Sequence, residues 1–200
     1  MVRKLDCVLL VLALVGAQLV WAADVEGVRV EDRITLPDGE ALMLNGAGVR
    51  HKLMFMKLYV GALYLAAKKV SAQEVLKDTG AKRIAMFVLA EEVTAKELIA
   101  SMNNALAVNL SRSDLAIIES RLTQLNEMML KVGVLKRGAV VTITFLPESG
   151  THIRVNSEEL LVVKGEEFFR ALLHIWIGDK PVDGRLKSSM LGGSGSFMLF

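Results

Sequence analysis

Leu44-Asn45-Gly46-Ala47-Gly48-Val49-Arg50 is followed, after His51-Lys52, by Leu53-Met54-Phe55-Met56-Lys57-Leu58-Tyr59-Val60-Gly61-Ala62-Leu63-Tyr64-Leu65. In the second part, odd positions carry Leu53, Phe55, Tyr59 and Leu63, and even positions carry Met54, Met56, Leu58, Val60 and Tyr64. Apolar residues on both parities mean a strand covered on both faces, so Leu53 to Leu65 is expected as a central strand. Gly46-Ala47-Gly48 lacks the third glycine and the following helix of a phosphate loop, and reads as a bend in the sheet.

Upstream, Val28, Val30 and Ile34 alternate with Glu31, Asp32 and Arg33, and Pro37-Asp38-Gly39 makes a turn. Downstream, Arg83 to Leu89 is a short strand. Thr94-Ala95-Lys96-Glu97 is a capping box, in which the threonine side chain and the glutamate satisfy each other's free amides. It opens a helix with Leu98, Met102, Ala105, Leu106 and Asn109 at helical spacing. A second helix begins near Ser113, with Leu115, Ile118, Leu122, Leu125 and Met129 on one stripe and Glu127 and Lys131 paired on its far side. After Gly138 the period returns to two. Val141, Ile143 and Phe145, then His152 to Val155, then Glu159 to Val163 make a meander with turns at Pro147–Gly150 and Asn156-Ser157. A helix from Glu166 to Ile177 stops at Gly178, with Pro181 beyond, and a short helix spans Asp183 to Leu191. This order predicts an α+β domain, an antiparallel sheet with helices on one face.

The ends say where the chain goes. Arg3 and Lys4 precede an apolar run from Val8 to Val15, closed by Gly16 and followed by Ala22 and Ala23. The run is shorter than the ~20 residues a membrane span needs, so residues 1–23 read as a signal peptide cut after Ala22 or Ala23. The alternative is an uncut N-terminal anchor. Residues 24–192 form the domain and 193–200 a glycine- and serine-rich tail. The expected location is the periplasm in a Gram-negative bacterium and the exterior otherwise, with no stable membrane span after cleavage.

Cys7 leaves with the signal, so the mature chain has no disulfide, thiolate metal site or cysteine nucleophile. Without Arg3, Lys4 and Asp6, the 24 basic and 22 acidic side chains become 22 and 21. That balance, with no basic cluster, argues against nucleic acid as a partner. His51, His152 and His174 have no metal-ligand spacing, and no metal or other cofactor is expected. Lys57, inside an apolar run, reads as a paired or snorkelling lysine. Nine methionines remain in the mature chain, suiting an adaptable core or pocket.

Leu44 to Arg50 with Phe55 to Leu65, and Ile177-Gly178-Asp179-Lys180-Pro181-Val182-Asp183-Gly184-Arg185-Leu186-Lys187, resemble the chalcone isomerase family. The resemblance implies an open-faced β-sandwich, a large antiparallel sheet with a helix layer on one face and a ligand cleft between. In the plant enzyme, the family implies an arginine beside the oxyanion, a threonine on the central strand, and tyrosine, lysine and asparagine on a facing helix. Here Arg50 matches the arginine and Tyr59 falls at the threonine's place. The facing helix, Thr94 to Leu110, has no tyrosine and has Lys96 only in its cap; Asn103 or Asn104 could stand for the asparagine. Two further pocket positions fall on Ile175 and Trp176. Most of the catalytic set is absent.

The fatty-acid-binding branch of the same family holds a carboxylate with an arginine and a tyrosine, and Arg50 with Tyr59 resembles that pair. Arginine offers a planar, two-pronged donor for a carboxylate taken out of water. Residues 50 and 59 differ by an odd number, so they converge only if the backbone turns or bulges near His51-Lys52. The resemblance therefore implies binding of a fatty acid or similar amphipathic carboxylate without catalysis. The alternatives are an intramolecular lyase on another substrate, or a structural or partner-binding module with a filled cleft. The oligomeric state is not legible.

Overall fold

The computed structural model describes residues 22–52 and 55–193. In chain order the elements are β1 (Ala22–Val25), β2 (Val28–Glu31), β3 (Arg33–Thr35), β4 (Ala41–Lys52), β5 (Met56–Leu65), α1 (Ala72–Lys77), β6 (Lys82–Val88) and β7 (Glu92–Thr94). There follow α2 (Ala95–Asn109), α3 (Arg112–Val132), β8 (Val134–Lys136), β9 (Val140–Leu146), β10 (Gly150–Val155), β11 (Glu158–Val163), α4 (Glu166–Ile177) and α5 (Gly184–Met190). Seven strands form one antiparallel sheet in the order β11-β10-β9-β6-β5-β4-β3. Two short ribbons, β1-β2 and β7-β8, stand apart from it.

The helix layer covers one face. Eight of the twelve residues of α4 are buried, because its Phe168, Phe169, Leu172 and Trp176 lie between the sheet and α2 and α3. Thr94 caps α2 with the full reciprocal box, and the Ser111 side chain caps α3 by accepting from Asp114 N–H. On the opposite face Val30, Leu42, Leu44, Val60, Ala62 and Tyr64 form a second cluster, with Val25 and Val28 of the β1-β2 ribbon packed onto it. That second cluster is why both parities of β5 are apolar.

The sheet departs from the sequence reading at its most informative stretch. The expected strand Leu53–Leu65 begins only at Met56, whereas Gly46-Ala47-Gly48 lies inside β4 directly after a register shift between Leu44 and Gly46, the bulge that bends the sheet there. The chain reverses between Lys52 and Met56, where no Gly, Pro, Asn or Asp marks a turn; Leu53 and Met54 lie outside the described residues. The glycines of β4 serve packing. A Cβ on Gly46 would overlap the Ser189 carbonyl oxygen, and one on Gly48 would lie 2.6 Å from Ser189 Cβ. Together with Gly61 they form a floor on which α5 sits, fastened by the buried Asn45, whose Nδ2 donates to Met190 O at 2.7 Å.

Helix α1 has no counterpart in the sequence reading. It is six residues long, with no side-chain cap and Val75 as its one buried residue, so it carries no readable period. The expected Glu127–Lys131 pair is not within ion-pair distance; both side chains are solvated on the outer face of α3, where such a pair adds little. Residues 1–21 of the expected signal and 194–200 of the expected tail lie outside the described residues, while Ala22 and Ala23 pair with Glu31 and Val30 in β1-β2. Among the described residues, no helix is long and apolar enough to cross a membrane.

Candidate functional site

The β4-β5 hairpin places Arg50 directly across from Tyr59. Facing partners on antiparallel strands point to the same side, so the odd spacing is no obstacle. A bulge follows at once: the register shifts between Arg50 and His51, where Leu58 is the extra residue on β5. Both side chains face the helix layer. The Arg50 guanidinium carbon lies 5.6 Å from the Tyr59 ring centroid, within cation–π range.

Two ties run from β4 to one face of α2. Arg50 Nη2 donates to Ser101 Oγ at 2.7 Å, and Lys52 Nζ pairs with Glu97 at 2.9 Å, one helical turn away. From α4, Trp176 Nε1 donates to the Tyr59 hydroxyl oxygen at 2.9 Å in a buried hydrogen bond. Arg50 has no carboxylate within ion-pair distance among the described residues, and its Nε is buried with no hydrogen-bond partner. Burial pushes the Tyr59 phenol up, against the lowering effect of Arg50, so it stays protonated at neutral pH.

These residues form one end of a cavity of about 90 Å³ between the sheet and the helices. The rest of its wall is apolar: Met86 from β6, Met102 from α2, Met128 and Met129 from α3, and Ile143 and Ile153 from the meander. Arg50, Tyr59, Ile175 and Trp176 all line it, as does Ser101. Asn103 and Asn104 do not. Asn103 is half-buried beside the lining, and Asn104 is exposed. The asparagine of α2 with a clear bonding role is Asn109, whose Nδ2 donates to Lys180 O and whose Oδ1 accepts from Lys180 N–H, fixing the loop after α4.

Ser101 was missed in the sequence reading. It falls three residues after Leu98, within the inward stripe of α2, and a hydroxyl at such a position was the available signal. The side chains flagged as structural are accounted for otherwise. Lys57 pairs with Glu26, and His152 lies between Ser149 and Glu159 on β10. His51 N–H donates to Asp183, the N-cap of α5.

A family model described as chalcone isomerase-like matches residues 22–192, and the chain belongs to that family. No curated protein matches it by sequence. Among solved structures, the crystal structure of a fatty-acid binding protein from Arabidopsis thaliana superposes with a TM-score of 0.58. It is 13% identical, and the match covers 80% of this chain and 96% of the Arabidopsis chain. At that identity the likeness concerns the fold.

Proposed function

We propose that this chalcone isomerase-like domain binds a fatty acid or similar amphipathic carboxylate, with the head group on Arg50 and Tyr59 and the chain in the methionine-lined cavity. The observation carrying this reading is the state of Arg50. Its charge lies on the wall of an otherwise apolar cavity, with no carboxylate partner among the described residues and Nε–H unused. A charge so placed is costly unless a counter-charge completes it, and a bidentate carboxylate has the matching geometry. The fatty-acid binding described for the Arabidopsis protein supports the same reading.

The domain works without catalysis in this account. Helix α2 gives the cavity only Ala95, Leu98, Ser101 and Met102, with no acid or base, and Tyr59 is held protonated. Ring closure of hydroxychalcones should stay at the spontaneous rate, since each missing general acid or electrostatic group typically accounts for about 10²-fold or more. Residues 1–23 act as an export signal; N-terminal sequencing of the exported protein should begin at Ala23 or Asp24.

One observation favours a second reading, a structural or partner-binding module with a filled cleft: the cavity is small. Engineered apolar cavities of about 150 Å³ take up benzene, and about 90 Å³ is less than that. Organic extraction of the purified protein followed by mass spectrometry separates the two. Acyl chains near one per protein support binding. Their absence, together with no uptake of added decanoic acid, favours the filled cleft.

A further inference from the structure

On the face of the sheet opposite the cavity, Ser149, His152 and Glu159 form a connected line. His152 is the register partner of Thr144, Thr144 of Arg83, and Arg83 of Tyr64, whose side chain belongs to the outer cluster. Facing partners point to one side, so His152 points outward with them. A bulge brings the acid to the same face. The β10-β11 register passes from Ile153 opposite Leu161 to Arg154 opposite Glu159, and the extra residue, Leu160, turns Glu159 to the side of His152. Ser149 reaches in from the β9-β10 turn. Its Oγ lies 2.7 Å from His152 Nε2, and His152 Nδ1 lies 2.8 Å from Glu159 Oε2. Arg154 donates to the same carboxylate oxygen at 3.1 Å, and His152 and Arg154 together hold the Glu159 carboxyl below the usual carboxylate range. An ionised carboxylate can only accept, so Nδ1 carries the proton. In the neutral ring Nε2 then has only its lone pair, and the Ser149 hydroxyl donates to it.

We infer that Ser149 is an acylation site, at which His152, oriented by Glu159, takes the hydroxyl proton while Oγ attacks an activated acyl ester. The bond from Oγ to the acyl carbon forms, and the bond from that carbon to the leaving oxygen breaks. The proton passes through Nε2 to the departing oxygen. These are the roles of a nucleophile, its base and the group that orients the base. The ester must carry a good leaving group, because base assistance is all that these three side chains supply. Approach is from solvent, since the His152 and Glu159 side chains are 19% and 38% exposed. Leu146, opposite Gly150, and the exposed Val162, opposite His152, offer a short acyl group apolar surface on the same face. The product is one acyl group per protein rather than turnover, and the site is independent of the carboxylate reading of the cavity.

The test treats the purified protein with p-nitrophenyl acetate at about pH 8 and locates the acetyl groups by peptide mass spectrometry. Ser149 should be acetylated about 100-fold faster than any other serine, the size of effect typical of a positioned base. His152→Phe should remove that advantage. Glu159→Gln should lower it about ten-fold or more, because the ring loses the acceptor that fixes its tautomer. Urea midpoints establish that the variants fold. A long-range nitrogen–proton NMR spectrum of the untreated parent gives a readout that needs no variant: the neutral His152 ring should carry its proton on Nδ1. Acetylation of Ser149 no faster than that of other serines overturns the inference. So does a rate that survives in folded His152→Phe, which would make Ser149 an ordinary exposed hydroxyl, and so does a His152 ring protonated on Nε2 alone.

Discussion

Arg50 and Tyr59 are register partners across β4-β5, and the guanidinium carbon stands 5.6 Å from the ring centroid. The pairing fixes both side chains on the helix face, and each is then held from a different helix, Arg50 by Ser101 of α2 and Tyr59 by Trp176 of α4. A site assembled from four elements in this way loses its geometry if any one of them shifts.

The docking of α5 depends on bare backbone at Gly46. Gly46→Ala should destabilise the fold by about 1–3 kcal/mol, because the new methyl meets the Ser189 carbonyl and helix backbone must move. Gly61→Ala should cost less, since the nearest atom there, Met190 Cε at 2.9 Å, is the end of a flexible side chain. Urea unfolding midpoints give the order; a Gly46→Ala protein as stable as Gly61→Ala would refute the packing account.

How much of this was legible in sequence follows from where the signals are local. The capping box at Thr94, the α4 span ending at Gly178 and the meander all rest on neighbouring residues, and the structure has them at those places. The β4-β5 reversal was hidden because its tip is apolar, with Phe55 80% exposed where a turn residue would be expected. The purpose of Gly46 and Gly48 was hidden as well, for the helix that needs them lies about 140 residues further along the chain. Arg50 and Tyr59 could be named from the family resemblance, whereas Ser101 and the direction of the Trp176 bond are tertiary facts.

The Lys52–Glu97 tie should appear as a pH effect. Lys52, with the Thr94 hydroxyl and N–H, holds the Glu97 carboxyl down at about 2. A depressed carboxylate adds stability above its unfolded pKa and loses it as pH falls through the folded value, here between roughly pH 4.5 and 2. Because half of Glu97 is exposed, the effect is at most about 1 kcal/mol. Glu97→Gln should be less stable than the parent at pH 7 and converge with it near pH 2. A gap that is the same at both pH values would contradict the assignment.

Chain length should be read by the methionines. At about 90 Å³ the cavity takes a long chain only if Met102 and Met129 swing aside, which unbranched thioethers do readily and β-branched side chains do not. Met102→Ile with Met129→Ile should weaken a sixteen-carbon acid about ten-fold and an eight-carbon acid by less than about two-fold. Calorimetric titration of both acids decides it. Equal losses for the two lengths would mean that the methionines are ordinary packing.

The most direct test of the carboxylate anchor is to remove Arg50 and compare an acid with its alcohol. Burying each methylene contributes about 0.8 kcal/mol, so two ligands of equal chain length share that term and differ only at the head. Hydrogen bonds to a charged group contribute about 1.5–3 kcal/mol, so the loss expected for the acid is roughly ten-fold or more. Titrating hexadecanoic acid and hexadecanol against the parent and Arg50→Ala should show that loss for the acid and a change below about three-fold for the alcohol. If acid and alcohol weaken together, or neither weakens, Arg50 is a structural residue and the site does not bind a carboxylate as described.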